Sequence, residues 1–166
     1  YGTQNATVFL LWNKGTDGVW YCIREYYYSG RTEGKQKTDS EYADDLESWL
    51  EETKIKGIIV DPSAASFIAE LRKRGYKVVK AKNNVEDGIR VVGTKLNQEA
   101  IIFADSCVNT IQEFGSYIWD EAAAAHGEDR PVKEHDHAMD ALRYFVYTIL
   151  NNQTAIIRSK QKAGFH

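Results

Sequence analysis

The segment IIVDPSAASFIAELRKRGYKVVKA, residues 58–81, carries the strongest fold signal in this sequence. The apolar run over residues 57–60 has the length of a strand, and such uninterrupted runs are typical of a central strand covered on both faces. A helix is predicted over residues 64–74, where Gly75 ends it. A second strand of the same kind is predicted over residues 76–81. Strand, helix and strand over this length indicate a βαβ unit with two parallel strands.

The rest of the pattern predicts a mixed sheet with helices on its faces. A β-hairpin opens the chain, because two runs of β-forming residues flank the turn signal Asp17-Gly18. The other predicted strands cover residues 7–13, 19–28 and 100–104. The other predicted helices cover residues 40–53, 85–96, 107–117 and 135–150. The segments over residues 29–39 and 119–132 are interpreted as loops. The fold class is therefore α/β.

Length and composition fit one globular domain. The chain has 166 residues, of which 43% are hydrophobic and 12% aromatic, enough to bury a core. We assign residues 1–150 to the domain and residues 151–166 to a polar, basic tail. No apolar run reaches the roughly 18 residues that a membrane span needs, so no membrane association is expected.

Charge and cysteine content narrow the possible functions. The net charge is −3, so a role with nucleic acid has to rest on local basic patches and on metal ions that balance carboxylates. Lys80 and Lys82 are the better candidates for phosphate contacts, because they end the strand beside Asp61. Cys22 and Cys107 are interpreted as reduced, buried thiols of a cytoplasmic protein.

Asp61 is the first candidate functional residue. It directly follows a predicted buried strand, and ligands and catalytic groups of open α/β sheets collect at the carboxyl ends of parallel strands. The alternative is a structural role, in which Asp61 caps the helix after it, with Pro62 at its first position. Spacing alone leaves both roles open.

A second candidate lies in the sequence HDHAMDALRY, residues 135–144. On a helix His137 and Asp140 are three residues apart and share a face, so an imidazole and a carboxylate can reach one divalent cation. Asp136 shares that face too. In the alternative, these residues form a solvated first turn of the helix, where acidic side chains favour the helix dipole, and Asp140 pairs with Arg143 or Arg130. Two glycine patterns, at residues 30–35 and 88–95, fail the spacing of a phosphate-binding loop, so no ATP site is expected.

The βαβ stretch, extended to residue 92, and the later sequence PVKEHDHAMDALRYFVY together resemble the nuclease domain of large terminases of tailed phages. The resemblance runs from Tyr1 to about Leu150. It implies a ribonuclease H-like fold and a metal-dependent endonuclease that cuts double-stranded concatemeric DNA during genome packaging. It also implies Asp61 and Asp140 as metal ligands, His137 as a ligand or a neighbour of one, and Mg²⁺ or Mn²⁺ as the cofactor.

Further expectations come from the resemblance alone. The partners would be double-stranded DNA, an ATPase domain upstream in the full subunit, the terminase small subunit and the portal, in the host cell cytoplasm. The start Tyr1-Gly2-Thr3 is similar to the residues after the first catalytic aspartate of this family, so that aspartate would lie immediately before Tyr1, on a further strand. With that aspartate the site would hold two cations for two-metal phosphodiester hydrolysis, whereas residues 1–166 alone would bind one cation weakly and cut DNA poorly.

Two other functions remain open at this stage. One is a non-catalytic ribonuclease H-like module that binds DNA or a portal, which metal-dependent nicking of plasmid DNA would distinguish. The other is an enzyme of the same fold that acts on junctions or on RNA–DNA hybrids, which competition between substrates would distinguish.

Overall fold

A computed structural model describes residues 6–116 and 136–151. Its elements, in chain order, are β1 (Thr7–Lys14), β2 (Trp20–Tyr28), α1 (Gly30–Glu33), α2 (Asp39–Leu50), β3 (Ile58–Val60), α3 (Ala65–Lys73), β4 (Val78–Lys80), α4 (Val85–Asn97), β5 (Ile101–Phe103), α5 (Val108–Ser116), α6 (His137–Phe145) and a π-helical turn (Val146–Leu150). The predicted α/β class, with mixed strands flanked by helices, is confirmed. The predicted loop over residues 119–132 and the tail from residue 152 lie outside the described residues.

The strands form two ladders. β1 pairs with β2 in an antiparallel hairpin whose register shifts between Leu11 and Trp12, and β2 pairs with β5 in parallel. β3 and β4 form the predicted parallel pair, with α3 between them in the chain. Among the described residues β1 and β3 therefore each end a ladder and have one edge without a partner strand. These two edges matter for the site below.

Three local predictions need correction. The loop over residues 29–39 contains the short helix α1, which ends at Gly34 with a φ of 67°. The next helix ends at Leu50 rather than residue 53, because Glu51 leaves the helical region with a φ of 54°. β4 is not covered on both faces: Val79 is 37% exposed, since within the described residues β4 pairs only with β3. The apolar pattern over residues 76–81 therefore predicts more burial than this edge strand has.

Side chains that alternate along β1 pack into two separate cores. Phe9 and Leu11 lie against the cluster built by α2, α3 and β3, which includes Leu46, Phe67 and Leu71. Val8, Leu10 and Trp12 lie on the opposite face, against the cluster that contains Met139, Leu142 and Phe145 of α6. Successive side chains of a strand point to opposite faces, so one strand serves both cores. Each core fixes one helical layer against the strands.

The helix that carries the second candidate motif is held by this packing. The indole of Trp12 stacks on Phe145, with ring centroids 4.4 Å apart and planes 7° apart. Beyond Phe145 the helix widens into the π-helical turn, whose Val146 and Leu150 are buried in the same core. Helices of the described segments are too short or too polar to cross a bilayer.

Candidate functional site

A groove of about 850 Å³ runs between the free edges of β1 and β3. Its walls include every residue of β1 and of the segment 57–61, in which neighbouring side chains point to opposite faces. The groove therefore opens onto the backbone edges of the two strands rather than onto one face. Thr7 Oγ1, Trp12 Nε1 and Trp20 Nε1 on its walls are buried and have no hydrogen-bond partner within the described segments.

Asp61 lies on the wall of this groove, directly after β3. Its Oδ1 accepts a hydrogen bond from the Ser63 N–H at 2.9 Å, and its Oδ2 accepts one from the Tyr144 hydroxyl at 2.7 Å. Partial burial alone would raise the pKa of Asp61, but these hydrogen bonds hold it below its ordinary value. The residue that caps α3 is Ala64, which makes no side-chain cap. Asp61 is therefore not the N-cap of α3, although its Oδ1 holds the turn that leads into that helix.

One face of α6 forms the facing wall. His137, Asp140, Ala141 and Tyr144 all line the groove, and this i, i+3, i+4, i+7 spacing places them on one helix face. The structure therefore brings all three predicted site residues, Asp61, His137 and Asp140, to the same groove. The pairing of Asp140 with Arg143, which belongs to the alternative structural interpretation, is also present, with Arg143 Nη2 at 2.7 Å from Asp140 Oδ1.

Arg143 is itself fixed by the chain segment after β4. Its guanidinium is buried and donates to the carbonyl oxygen of Asn83 at 2.9 Å. A β-carbon on Gly88 of α4 would stand 2.5 Å from Arg143 Cγ, so the absence of a side chain there leaves space for the arginine. The carboxylate of Asp140 is thus held by the guanidinium of Arg143, which the segment after β4 and helix α4 position.

Sequence reasoning assigned no role to Tyr144, although the residue lies within the motif it singled out. The tyrosine is one turn beyond Asp140, so the helical spacing gave a usable signal. Its hydroxyl connects α6 directly to Asp61, and burial together with this hydrogen bond raises the pKa of Tyr144. The hydroxyl therefore stays protonated and donates to Asp61.

The donor set suits a hard divalent cation only in part. Asp61 and Asp140 offer carboxylate oxygens in one groove, and Mg²⁺ often takes one or two protein carboxylates together with water and phosphate oxygens. His137 Nδ1 lies 3.8 Å from Asp136 Oδ1, beside the groove. Within residues 6–116 and 136–151, however, no three acidic, histidine or cysteine side chains stand close enough to hold one ion. A cation here would need ligands besides these two carboxylates.

The basic residues of the groove are not the ones predicted. Lys14, Lys54, Lys56 and Lys77 line it, and Lys56 precedes β3 whereas Asp61 follows β3. Lys80 and Lys82 are not among the lining residues, and Lys82 Nζ lies 5.8 Å from the ring centroid of Tyr147. Along the chain, Lys54 and Lys56 of the groove thus precede β3, and Asp61 follows it.

Comparison with known proteins finds similarity to large terminases of phages. The chain is 58% identical to the large terminase of a thermophilic bacteriophage in a complex with ATP-γ-S, with a TM-score of 0.88 over 90% of this chain and 38% of that one. The resemblance to phage large terminases is confirmed. The large subunit of the terminase of Escherichia phage T5 is 28% identical over 153 residues, 90% of this chain and 33% of that protein. The chain thus spans 38% and 33% of the length of these two terminases.

The fold is shared with a more distant terminase. The nuclease domain of the P22 large terminase superposes with a TM-score of 0.66 at 18% identity, over 91% of this chain and 78% of that one. This likeness confirms the ribonuclease H-like α/β fold and, at that identity, the fold alone. No protein-family model matches the chain.

Proposed function

We propose that this chain is the metal-dependent nuclease part of a phage large terminase, which cleaves double-stranded concatemeric DNA during packaging. The observation that carries the proposal is the convergence of Asp61 and Asp140 on one groove, Asp61 from the end of a strand and Asp140 from the facing helix. The similarity to large terminases supports it. The groove also offers lysines that suit a phosphate backbone.

Each residue has a distinct part in this proposal. Asp61 and Asp140 would hold Mg²⁺ or Mn²⁺ with His137 beside them, and an upstream aspartate would complete a two-metal site. One cation would lower the pKa of an attacking water, and the other would stabilise the leaving 3′ oxygen. Tyr144 donates to Oδ2 of Asp61 and the Ser63 N–H donates to Oδ1, so both oxygens are oriented and each keeps a lone pair for a further ligand. Arg143 holds Oδ1 of Asp140 and offsets part of the negative charge that two neighbouring carboxylates create.

The implied partners fit the same proposal. An ATPase domain, a small subunit, a portal and a location in the host cytoplasm would belong to the full terminase, of which this chain matches a part. A further aspartate on a strand immediately before Tyr1, which the resemblance implies, would supply the additional ligand that the described residues lack. The free edges of β1 and β3 flank the groove in which such a strand would pair.

Nicking of supercoiled plasmid with Mn²⁺ or Mg²⁺ tests the proposal. Residues 1–166 should nick slowly, and a form extended upstream by a strand with an aspartate should nick at least ten times faster. In the extended form Asp61→Ala and Asp140→Ala should abolish nicking. Asp105→Ala is the matched control, because Asp105 follows β5, is exposed and lies outside the groove lining. Nicking that survives both groove substitutions would overturn the proposal.

A non-catalytic module that binds DNA or a portal is the second candidate. It is favoured by the ion pair that already occupies Asp140 and by the lack of a three-residue ligand group in the described part of the chain. Such a module would bind DNA equally well in EDTA, with no nicking by either form. A nuclease whose acids are not neutralised should bind DNA weakly without metal and lose affinity steeply with added salt.

A further inference from the structure

The amino end of α6 lacks the local cap that most helices have. The first N–H groups of a helix have no partner within the helix, and a side chain at the residue before it usually accepts one of them. Asp136 holds that position, but its side chain makes no capping hydrogen bond. The first turn, which carries His137 and Asp140, therefore depends on something else for its partners.

Glu113 of α5 supplies those partners. Its Oε2 accepts the N–H of Ala138 at 2.7 Å and the N–H of Met139 at 3.1 Å, while its Oε1 accepts the hydroxyl of Tyr27 at 3.0 Å. The side chain is only 5% exposed. A carboxylate at a helix amino end also interacts favourably with the helix dipole. One buried side chain thus ties the start of α6 to α5 and to β2.

We propose that Glu113 is a positioning residue for the groove, which caps α6 from α5 and so fixes the direction in which His137 and Asp140 enter it. The inference rests on the proposed function, because it assigns a role at the same site. Glu113 is not among the residues that line the groove, so it acts through the helix rather than on the cation.

The first measurement needs no metal. Amide hydrogen exchange of residues 138–140 should be at least tenfold faster in Glu113→Ala than in the parent chain, whereas exchange in α2 should not change. Glu113→Gln keeps an acceptor oxygen and should restore part of the protection. If Glu113→Ala does not fold, the exchange rates of the parent are compared instead with those of Glu113→Gln and of Tyr27→Phe. The latter substitution removes the hydrogen bond from Tyr27 to Glu113. Unchanged protection of residues 138–140 in every variant would overturn the capping role.

The second measurement uses Mn²⁺ alone. Broadening of amide signals around Asp61 and α6 on titration with Mn²⁺ gives an affinity without DNA or turnover. Loss of a group that orients metal ligands weakens metal binding by about 10-fold or more, which is the effect expected for Glu113→Ala. Glu113→Gln should bind better than Glu113→Ala. An unchanged affinity in Glu113→Ala would overturn the positioning role.

Thr38→Ala is the matched control for general destabilisation. Thr38 Oγ1 accepts the Glu41 N–H at the start of α2, so the substitution also removes a helix cap but leaves α6 untouched. Its Mn²⁺ affinity should equal that of the parent, and an equal loss in Thr38→Ala would overturn the positioning role. If the parent itself binds no Mn²⁺ in the groove, or Asp140→Ala binds it equally, the proposed function fails while the exchange measurement still decides the capping role.

Discussion

Helices α2 and α6 begin in opposite ways. At α2, Thr38 Oγ1 accepts the Glu41 N–H at 3.2 Å and Glu41 Oε2 accepts the Thr38 N–H at 2.8 Å, a reciprocal capping box within four residues. At α6 the corresponding partner is Glu113, more than twenty residues earlier in the chain. The start of α2 is thus determined by the local sequence, whereas the start of α6 depends on α5, which packs beside it.

The charged side chains around the two helices also differ, both in burial and in the kind of partner they have. Around α2 the charges pair with one another near the surface, as in the partly buried Arg74 with the exposed side chains of Asp44 and Glu47. Around α6 the charges are buried, as in Glu113 and Arg143, and their partners include backbone groups. Exposed pairs contribute little to stability, but a buried charge that loses its partner is strongly destabilising. The half of the molecule that carries the proposed site is therefore the half more sensitive to single substitutions.

The largest expected effects come from equivalent leucines in the two cores. Leu71 is 0% exposed in the core of α2 and α3, and Leu142 is 1% exposed in the core of α6. Replacement of either by Ala should lower the free energy of unfolding in urea by about 2–5 kcal/mol. Only Leu142→Ala should also weaken Mn²⁺ binding, because only that leucine supports the groove helix. Equal loss of Mn²⁺ affinity in both variants would remove the distinction between the two halves.

A glycine in α4 provides a smaller and more local test. In Gly88→Ala the new β-carbon would stand 2.5 Å from Arg143 Cγ and 2.7 Å from Cδ, so the arginine must move. We expect a loss of about 1–3 kcal/mol, as for other overpacked sites, and weaker Mn²⁺ binding as Asp140 loses its partner. Thermal and urea unfolding measure the first effect, and amide broadening measures the second.

Gly93 of the same helix is the control for that experiment. A β-carbon at Gly93 would meet nothing within 4 Å, so Gly93→Ala should stabilise the chain by about 0.5–1 kcal/mol through helix propensity alone. Destabilisation by both substitutions would mean that α4 tolerates no side chain at either glycine and that Arg143 is not the cause.

The caps themselves give a contrast of about 1 kcal/mol. Thr38→Ala should lower the free energy of unfolding by about 0.5–2 kcal/mol, the usual effect of losing a capping side chain. Asp136→Ala should change it by less than about 0.5 kcal/mol, because the Asp136 side chain makes no cap and repels Glu113. Urea unfolding of the two variants decides the matter. A large loss in Asp136→Ala would show that α6, too, depends on a local cap.

The smallest expected effect is a difference in pH dependence. The Lys35 ammonium and the Thr38 N–H lower the pKa of Glu41 to about 2, so its stabilisation is present above its ordinary pKa of 4.5 and is lost as pH falls through about 2. Burial raises the pKa of Glu113, so its contribution is present below that ordinary value and is lost as pH rises through the raised pKa. The two carboxyls should therefore shape the stability profile in opposite directions.

Unfolding of Glu41→Gln and Glu113→Gln as a function of pH measures this contrast. Relative to the parent, Glu41→Gln should lose less stability on acidification between pH 4.5 and 2. Glu113→Gln should lose less stability as pH rises above 4.5. Parallel profiles for the two variants would contradict the opposite pKa directions.

The order of strands and helices was predictable because each depends on a short stretch of sequence. The hairpin, the βαβ unit and the helices α4 and α5 agree with their patterns to within a few residues. The spacing that placed His137 and Asp140 on one helix face and Asp61 at a strand end also agrees with the groove that all three line. Periodicity and strand ends are local properties, so sequence alone determines them.

Contacts between distant segments depended on the packed structure. No spacing rule connects Tyr144 to Asp61, Glu113 to Ala138, or Glu25, whose carboxylate caps α5 at Asn109. Likewise Cys22 and Cys107 were expected to be buried, but not to lie with their sulfur atoms 3.7 Å apart. Such contacts arise only when two cores bring separate elements together.

The sequence by itself thus determined the fold class, the candidate carboxylates and the helix that carries one of them. Tertiary structure alone decided that the groove lies between β1 and β3, that Tyr144 donates to Asp61, and that a carboxylate of α5 starts α6. The physical reason is that hydrogen-bond partners for the buried ends of helices and for buried charges are chosen by whatever packs beside them, not by their neighbours in the chain.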